Sequence, residues 1–207
     1  MSKQEHWNAV YGARAEEALT WFEPTAELSL QLFDAFSDKS AKIIDVGGGA
    51  SRFVDGLVAR GAGPITVLDL SPEALETSKT RLGAMADTVN WVAADITEWT
   101  PPSQWDFWHD RAVFHFLTER DQRAAYFRAL SAGLAPGGVA IIATFAPDGP
   151  EKCSNLPVQR WSSADLAVEA EAHQPGLLHL VEGRRHVHVT PKGNLQPFEV
   201  NIFKRAE

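Results

Sequence analysis

The sequence predicts an α/β fold: a mostly parallel sheet with helices packed on both faces. Three observations carry that prediction. From residue 42 onward, short apolar runs alternate with segments of helical periodicity, the pattern of repeated strand–helix–strand units. The first apolar run, Ile43 to Val46, passes directly into Gly47, Gly48 and Gly49 and then into a helical stretch. A second run, Ile65 to Leu68, ends in Asp69, twenty residues after Gly49, where an acidic side chain can accept hydrogen bonds from a ribose.

The elements can be justified in turn. Residues 2–11 read as a short helix and residues 21–24 as a turn, after which Leu28, Leu32, Phe33 and Phe36 recur at helical spacing. Strands are expected near 42–46, 65–69, 89–93, 105–110 and 138–145, with helices near 51–60, 72–84 and 119–134. Ser71 is placed to cap the helix that Pro72 opens, and Gly61 and Gly137 fall just past expected helix ends. Beyond a long loop at 147–160, a helix is expected near 162–170. Two β-rich runs, 179–190 and 196–204, then flank a Thr-Pro-Lys-Gly-Asn turn and read as an antiparallel hairpin. The whole of 1–207 is expected to form one domain: a helical cap over 1–40, a core over 41–146, and a loop and hairpin over 147–207.

Composition narrows the classes. With 207 residues and 44% hydrophobic content, the chain can bury one core of ordinary size. Its 27 acidic and 19 basic residues give a net charge of −8, and no Lys/Arg run stands out, which argues against a nonspecific nucleic-acid face. The first residues lack the apolar run of a signal peptide, and no stretch approaches the ~20 apolar residues that cross a bilayer, so a cytoplasmic protein without membrane attachment is expected. The single cysteine, Cys153, has no partner for an intramolecular disulfide and no second thiol for zinc.

The glycine turn excludes two cofactor classes. The dinucleotide fingerprint asks for a third glycine three residues after the second, and Arg52 stands there. A triphosphate loop would close in Gly-Lys-Ser/Thr, whereas this turn runs into Ala50, Ser51, Arg52 and Phe53. What remains, Asp45-x-Gly47-x-Gly49-x-Ser51, resembles the first motif of the class I S-adenosylmethionine-dependent methyltransferases, and the likeness continues in family order. Residues 67–72 resemble the ribose-binding second motif, 93–97 the adenine-binding third and 106–117 the fourth, while 134–145 resemble the helix-to-strand turn that follows. The resemblance implies a Rossmann-like seven-stranded sheet of order 3-2-1-4-5-7-6 with the seventh strand antiparallel. It also implies S-adenosyl-L-methionine as cofactor. By the same resemblance Asp69 would bind the ribose hydroxyls, Leu70 would cover one adenine face, and Asp95 with the Ile96 amide would read the adenine edge. Asp45 would orient the glycine turn, and Ser51, Ser71, Trp21 and Arg111 would complete the cofactor pocket.

Methyl transfer needs an in-line nucleophile, a water-poor site and, where the nucleophile carries a proton, a base. After the fourth strand stand His109, Asp110, Arg111 and His115. His115 is the leading base candidate, with His109 and Asp110 beside it, because imidazole titrates near neutrality; the alternative is a packed core histidine. Arg111 suits the cofactor carboxylate or a substrate anion, or an ion pair with Asp110 or Asp106. Trp7, Tyr11, Trp21 and Phe22 either close over the cofactor or simply pack the N-terminal helices. Cys153 is weighed as a reactive thiol, and the alternating His186 and His188 as a metal pair lacking a third ligand. The expected activity is methyl transfer to a sulfur, nitrogen or oxygen of a small molecule. The alternatives are a protein lysine methyltransferase and a noncatalytic cofactor-binding module.

Overall fold

A computed structural model describes residues 2–13 and 15–207. Helix α1 (Lys3–Gly12) starts at Ser2, whose hydroxyl accepts from the Glu5 amide while the Glu5 carboxylate accepts from the Ser2 amide, a reciprocal cap. A short 3₁₀ turn at Glu16–Ala18 and helix α2 (Glu27–Phe36) follow. The alternating core is β1 (Ile43–Val46), α3 (Phe53–Ala59), β2 (Ile65–Asp69), α4 (Pro72–Leu82), β3 (Val89–Ala93), β4 (Trp105–Arg111), α5 (Arg120–Gly133) and β5 (Leu134–Phe145). The loop beyond β5 contains a two-residue hairpin, β6 (Lys152–Cys153) and β7 (Leu156–Pro157); then come α6 (Ser163–His173), β8 (Leu178–Val189) and β9 (Leu195–Arg205).

The main sheet runs β3-β2-β1-β4-β5-β9-β8. With the small hairpin set aside, this is the expected order 3-2-1-4-5-7-6. Pairs from β3 through β5 are parallel, and β9 runs antiparallel to both β5 and β8. Strand β1 lies between β2 and β4 and is buried along its length. Its residues therefore alternate between two cores. Ile43 joins Phe33, Phe53, Leu57 and Phe107 under α2 and α3, whereas Ile44 joins Trp108, Tyr126, Phe127 and Leu130 under α5.

The junction of α5 and β5 departs most from the sequence reading. Helix α5 ends at Gly133, where a Cβ would lie 2.9 Å from the Trp108 ring and 3.1 Å from Pro101. The strand then begins at Leu134, four residues before the expected start, with its register against β4 shifting between Trp105 and Phe107. Gly137, at φ +70°, accordingly sits inside this irregular strand opening rather than at a helix cap. Gly61, at φ +65°, does follow α3, and Ser71 does cap α4 by accepting from the Ala74 amide.

No helix among the described residues is long and apolar enough to cross a membrane. The fully buried Phe107 ring meets Phe33 edge-on at 5.4 Å, joining α2 to the centre of the sheet. Phe107→Ala is expected to lower the unfolding free energy by about 3–5 kcal/mol; a loss below 1 kcal/mol in urea titrations would contradict this packing account.

Candidate active site

Strands β1, β2, β3 and β4 end along one edge, and the segments leaving them form a cleft. At its floor is the glycine turn. Gly47 and Gly49 have φ of +71° and +27°, backbone that side chains disfavour. Space forbids them too: a Cβ on Gly47 would overlap Val113, one on Gly48 would overlap the Asp45 carboxylate, and one on Gly49 would lie 2.6 Å from Asp69 Oδ2. The turn is tied down by the Gly47 and Gly48 amides donating to the Leu68 carbonyl (2.6 and 3.2 Å) and by the Ser78 hydroxyl donating to the Gly49 carbonyl (2.6 Å).

Asp69 is buried at the end of β2 and accepts from the Ser71 amide at 2.8 Å. Burial pushes its pKa up to about 7, and the charge of Asp45 pushes in the same direction. Asp69, Leu70, Asp95 and Ile96 line one side of the cleft, with Leu117 beyond them. Asp95 is fixed by accepting from the Thr97 amide and hydroxyl at 2.8 and 2.7 Å. The N-terminal segment forms the roof, where Trp7, Tyr11 and Trp21 contact one another with ring centroids 5.7–6.3 Å apart and Trp7 meets Phe116 at 5.2 Å. The hollow measures about 870 Å³ with its mouth included, within the ~300–1,000 Å³ of small-molecule sites.

Residues 43–138 match a family described as a methyltransferase domain. The match takes in the glycine turn and the ends of β2, β3 and β4. It is 28% identical to a trans-aconitate 2-methyltransferase from Rhizobium meliloti over 80% of this chain and 60% of the relative. With a malonyl-[acyl-carrier protein] O-methyltransferase from Ilyobacter polytropus it shares 26% identity over 69% of this chain and 52% of the relative. The matches thus span little more than half the length of these relatives. Among solved structures, an Anabaena variabilis SAM-dependent methyltransferase superposes with a TM-score of 0.76 at 13% identity, covering 99% and 96% of the two chains. A Burkholderia thailandensis 1,6-didemethyltoxoflavin-N1-methyltransferase with bound S-adenosylhomocysteine gives 0.69 at 21%, covering 99% and 84%. These similarities show the fold.

The three catalytic candidates read from the sequence are buried, and none of them lines the main cleft. His109 is buried beneath the glycine turn, its Nδ1 2.7 Å from Asp45 Oδ1, its Nε2 2.9 Å from Ser29 Oγ and its ring 4.3 Å from that of Phe53. It supports Asp45. Asp110 is fully buried and accepts from the Val113 and Phe114 amides at 2.8 and 3.2 Å, so it shapes the turn after β4. Burial raises its pKa to about 7 even though those bonds and the Tyr126 hydroxyl lower it. His115 is also fully buried, between the rings of Phe116 and Phe145. Its Nδ1 accepts from the Phe145 amide at 3.3 Å, and burial pushes its pKa down to about 3, with the Arg111 charge acting in the same direction. It does not line the cleft and is the packed core histidine.

Other candidates are redistributed. Ser71 is a helix cap with no exposure, while Ser51 lines a smaller adjoining hollow rather than the main cleft. Arg111 does line the cleft but pairs with Glu23 at 2.9 Å, not with Asp106 or Asp110, and also donates to the Trp21 carbonyl at 3.2 Å. Cys153 lines the cleft, yet burial pushes its thiol up to about 12 despite the opposing Arg111 charge, which removes the thiolate a nucleophile needs. His188 Nε2 lies 2.8 Å from the Thr20 carbonyl and its Nδ1 lies 3.3 Å from Glu23, so it holds the roof.

The sequence reading missed the residues that fasten this roof. Glu16 bridges Arg52 (2.6 Å) and Arg81 (2.9 Å), and Arg81 also pairs with Asp55 and donates to the Ala50 and Ser51 carbonyls. Charge type alone signals none of this, since Glu16 and Arg81 are 65 residues apart.

Two outcomes are expected. Asp110 has a folded-state pKa above its usual 3.8, so the folded protein holds an extra proton between about pH 4 and 7. The resulting stability is present below pH 4 and lost as pH rises toward 7, with a slope of up to about 1.4 kcal/mol per pH unit. Asp110→Asn should flatten this decline in urea midpoints measured from pH 5 to 7, and an unchanged slope would refute the assignment. Glu16→Ala should speed amide exchange across residues 3–22 while barely changing exchange in β1 and β4; uniform protection in both proteins would show that the bridge does not hold the roof.

Proposed function

We propose that this protein transfers the methyl group of S-adenosylmethionine to a sulfur, nitrogen or oxygen atom of a small molecule. The observation that carries the reading is the buried carboxylate of Asp69 at the end of β2, with a glycine turn beside it that leaves no room for a Cβ. This cradle fits a nucleoside: Asp69 and Asp95 offer acceptors along it, and its lining arginine is engaged by Glu23. Asp69 would accept from the ribose hydroxyls, Leu70 and Ile96 would cover the adenine faces, and Asp95 would read the adenine edge. Gly47 lets backbone approach the ligand closely, and Ser51 and Arg111 stand where the amino-acid end would lie.

When bound, the cofactor supplies an electrophilic methyl group on a positive sulfur. The protein's part is positioning and exclusion of water. Trp7, Tyr11 and Trp21 roof the cleft with aromatic surface, and the post-β4 turn presents Ala112 and Val113 to the same space. Ala112 holds φ +74°, a conformation that L side chains rarely adopt, fixed by its amide donating to the Ala143 carbonyl at 2.9 Å. Strain of this kind concentrates at working sites. A roofed, largely apolar cleft favours a compact acceptor over a lysine on a folded protein surface. The acceptors in the names of the two curated relatives, trans-aconitate and malonyl-[acyl-carrier protein], support the small-molecule class for the first and an acyl group on a carrier for the second.

Transfer of labelled methyl should be followed over thiols, amines, phenols, carboxylic acids and a lysate protein fraction. Label in the small-molecule fraction is expected, and label confined to protein would overturn the proposal. Asp69→Asn is expected to weaken S-adenosylhomocysteine binding at least tenfold, about 1.4 kcal/mol. Because ribose hydroxyls donate to the ionised carboxylate, wild-type affinity should rise between pH 6 and 8, and the variant should lose that rise. Equal affinities and pH profiles would remove Asp69 from the ribose role.

A further inference from the structure

His186 and His188 alternate along β8 and so face one side of the sheet, but their surroundings differ. The His188 side chain is 3% exposed and reaches the N-terminal segment, whereas His186 is only partly covered. The His188 ring meets two oxygens of that segment: Nε2 lies 2.8 Å from the Thr20 carbonyl, and Nδ1 lies 3.3 Å from Glu23 Oε1. Between those two residues stands Trp21, which lines both the main cleft and the smaller hollow and packs edge-on against Trp7 and Tyr11. One imidazole therefore brackets the stretch of roof that carries a cleft-lining indole. His188 itself lines neither hollow, so it acts on the cleft by positioning Trp21.

Both oxygens only accept. The carbonyl has no proton to give, and Glu23 is ionised: burial pushes its carboxyl up, but the hydrogen bond to His188 and the Arg111 charge hold it below the usual carboxylate range. A neutral imidazole has one N–H and one bare lone pair. Either neutral tautomer would turn that lone pair toward an oxygen in a site shielded from water, leaving an acceptor unmet. Only the imidazolium donates to both. We propose that His188 carries two protons when the roof is seated, so that seating the roof over the cleft binds a proton and rising pH releases it. The charged and titratable groups facing this ring are Glu23 from the roof, Arg111 from β4 and His186 from the same strand. Arg111 pairs with the same Glu23 oxygen at 2.9 Å, so that carboxylate gathers two cations. His186 does not compete for the proton: burial lowers its pKa, and the Arg111 and His188 charges act in the same direction against Glu23. Because the seated roof holds the proton more tightly, the clamp is complete at low pH and is lost as pH rises through the titration of His188. The inference holds whatever ligand the cleft takes.

Nitrogen NMR of the full chain with isotope-labelled histidine reads the protonation of each ring nitrogen, and the His188 signals are those missing from His188→Gln. His188 is expected to keep both protons to a higher pH than His186; loss of its second proton at or below the pH at which His186 loses its own would overturn the proposal. Amide exchange, corrected for the pH dependence of exchange in free peptides, supplies a second readout. Protection of the Thr20–Glu23 amides should fall by up to about tenfold per pH unit as His188 deprotonates, in the wild type and in His186→Gln alike, and should be low and flat in His188→Gln. Flat protection in the wild type, or the same fall in His188→Gln, would overturn it. The wild-type arm stands even where the His188 variant does not fold.

Discussion

Two carboxylates, Asp45 and Asp69, end neighbouring parallel strands and are pressed beneath a turn that has no room for side chains. The rest of the site depends on that constraint. Burying two anions this close is unfavourable, and the protein resolves the conflict asymmetrically. Asp45 is answered from below by His109, which is in turn hydrogen-bonded to Ser29 on α2. Asp69 receives local amide contacts and lines the cleft, where burial raises its pKa despite them. Under the proposed function the ribose hydroxyls would donate to it, so the packing that fixes the turn would also hold the ribose acceptor in place.

The roof is fastened by a different kind of force. Glu16, with its side chain 10% exposed, joins Arg52 after the glycine turn to Arg81 at the end of α4, and Glu23 joins Arg111 to His188 on β8. Isolated surface pairs contribute little, but these are half-buried, multiply bonded and placed at both ends of one segment. They let the N-terminal segment cover the cleft without being built into the sheet. Between the two fastenings Trp21 and Phe22 supply apolar surface, and Tyr11 packs on Trp21 from outside them, so the polar work is done at the ends of this stretch.

The fold was legible because its signals are local. The Ile43–Val46 run, the three glycines and the Ser71-Pro72 start each specify geometry within a few residues, and the strand order came with the motif likeness they support. The start of β5 was not, because Gly133 is fixed by distant contacts with Trp108 and Pro101. Asp69 and Asp95, which line the cleft, could be placed for the same reason as the fold, since Asp69 ends β2 and Asp95 follows shortly after β3. The burial of the polar residues in and after β4 was not legible: His109 and Asp110 lie within the strand and His115 in the turn beyond it, all in the interior, and only tertiary partners reveal it. Glu16 and Arg81 left no trace in sequence, because what gives each its place is a residue brought near by folding.

The central claim is that the space between the glycine turn, Asp69 and the aromatic roof is shaped for a nucleoside bearing an amino acid and no phosphate. Calorimetric titration of the wild-type chain with S-adenosylhomocysteine and, separately, with NAD tests it most directly. The account predicts saturable one-to-one binding of S-adenosylhomocysteine, abolished by Gly49→Val through overlap with Asp69, and no measurable binding of NAD. Binding of NAD without S-adenosylhomocysteine, or full retention of S-adenosylhomocysteine binding in Gly49→Val, would contradict it.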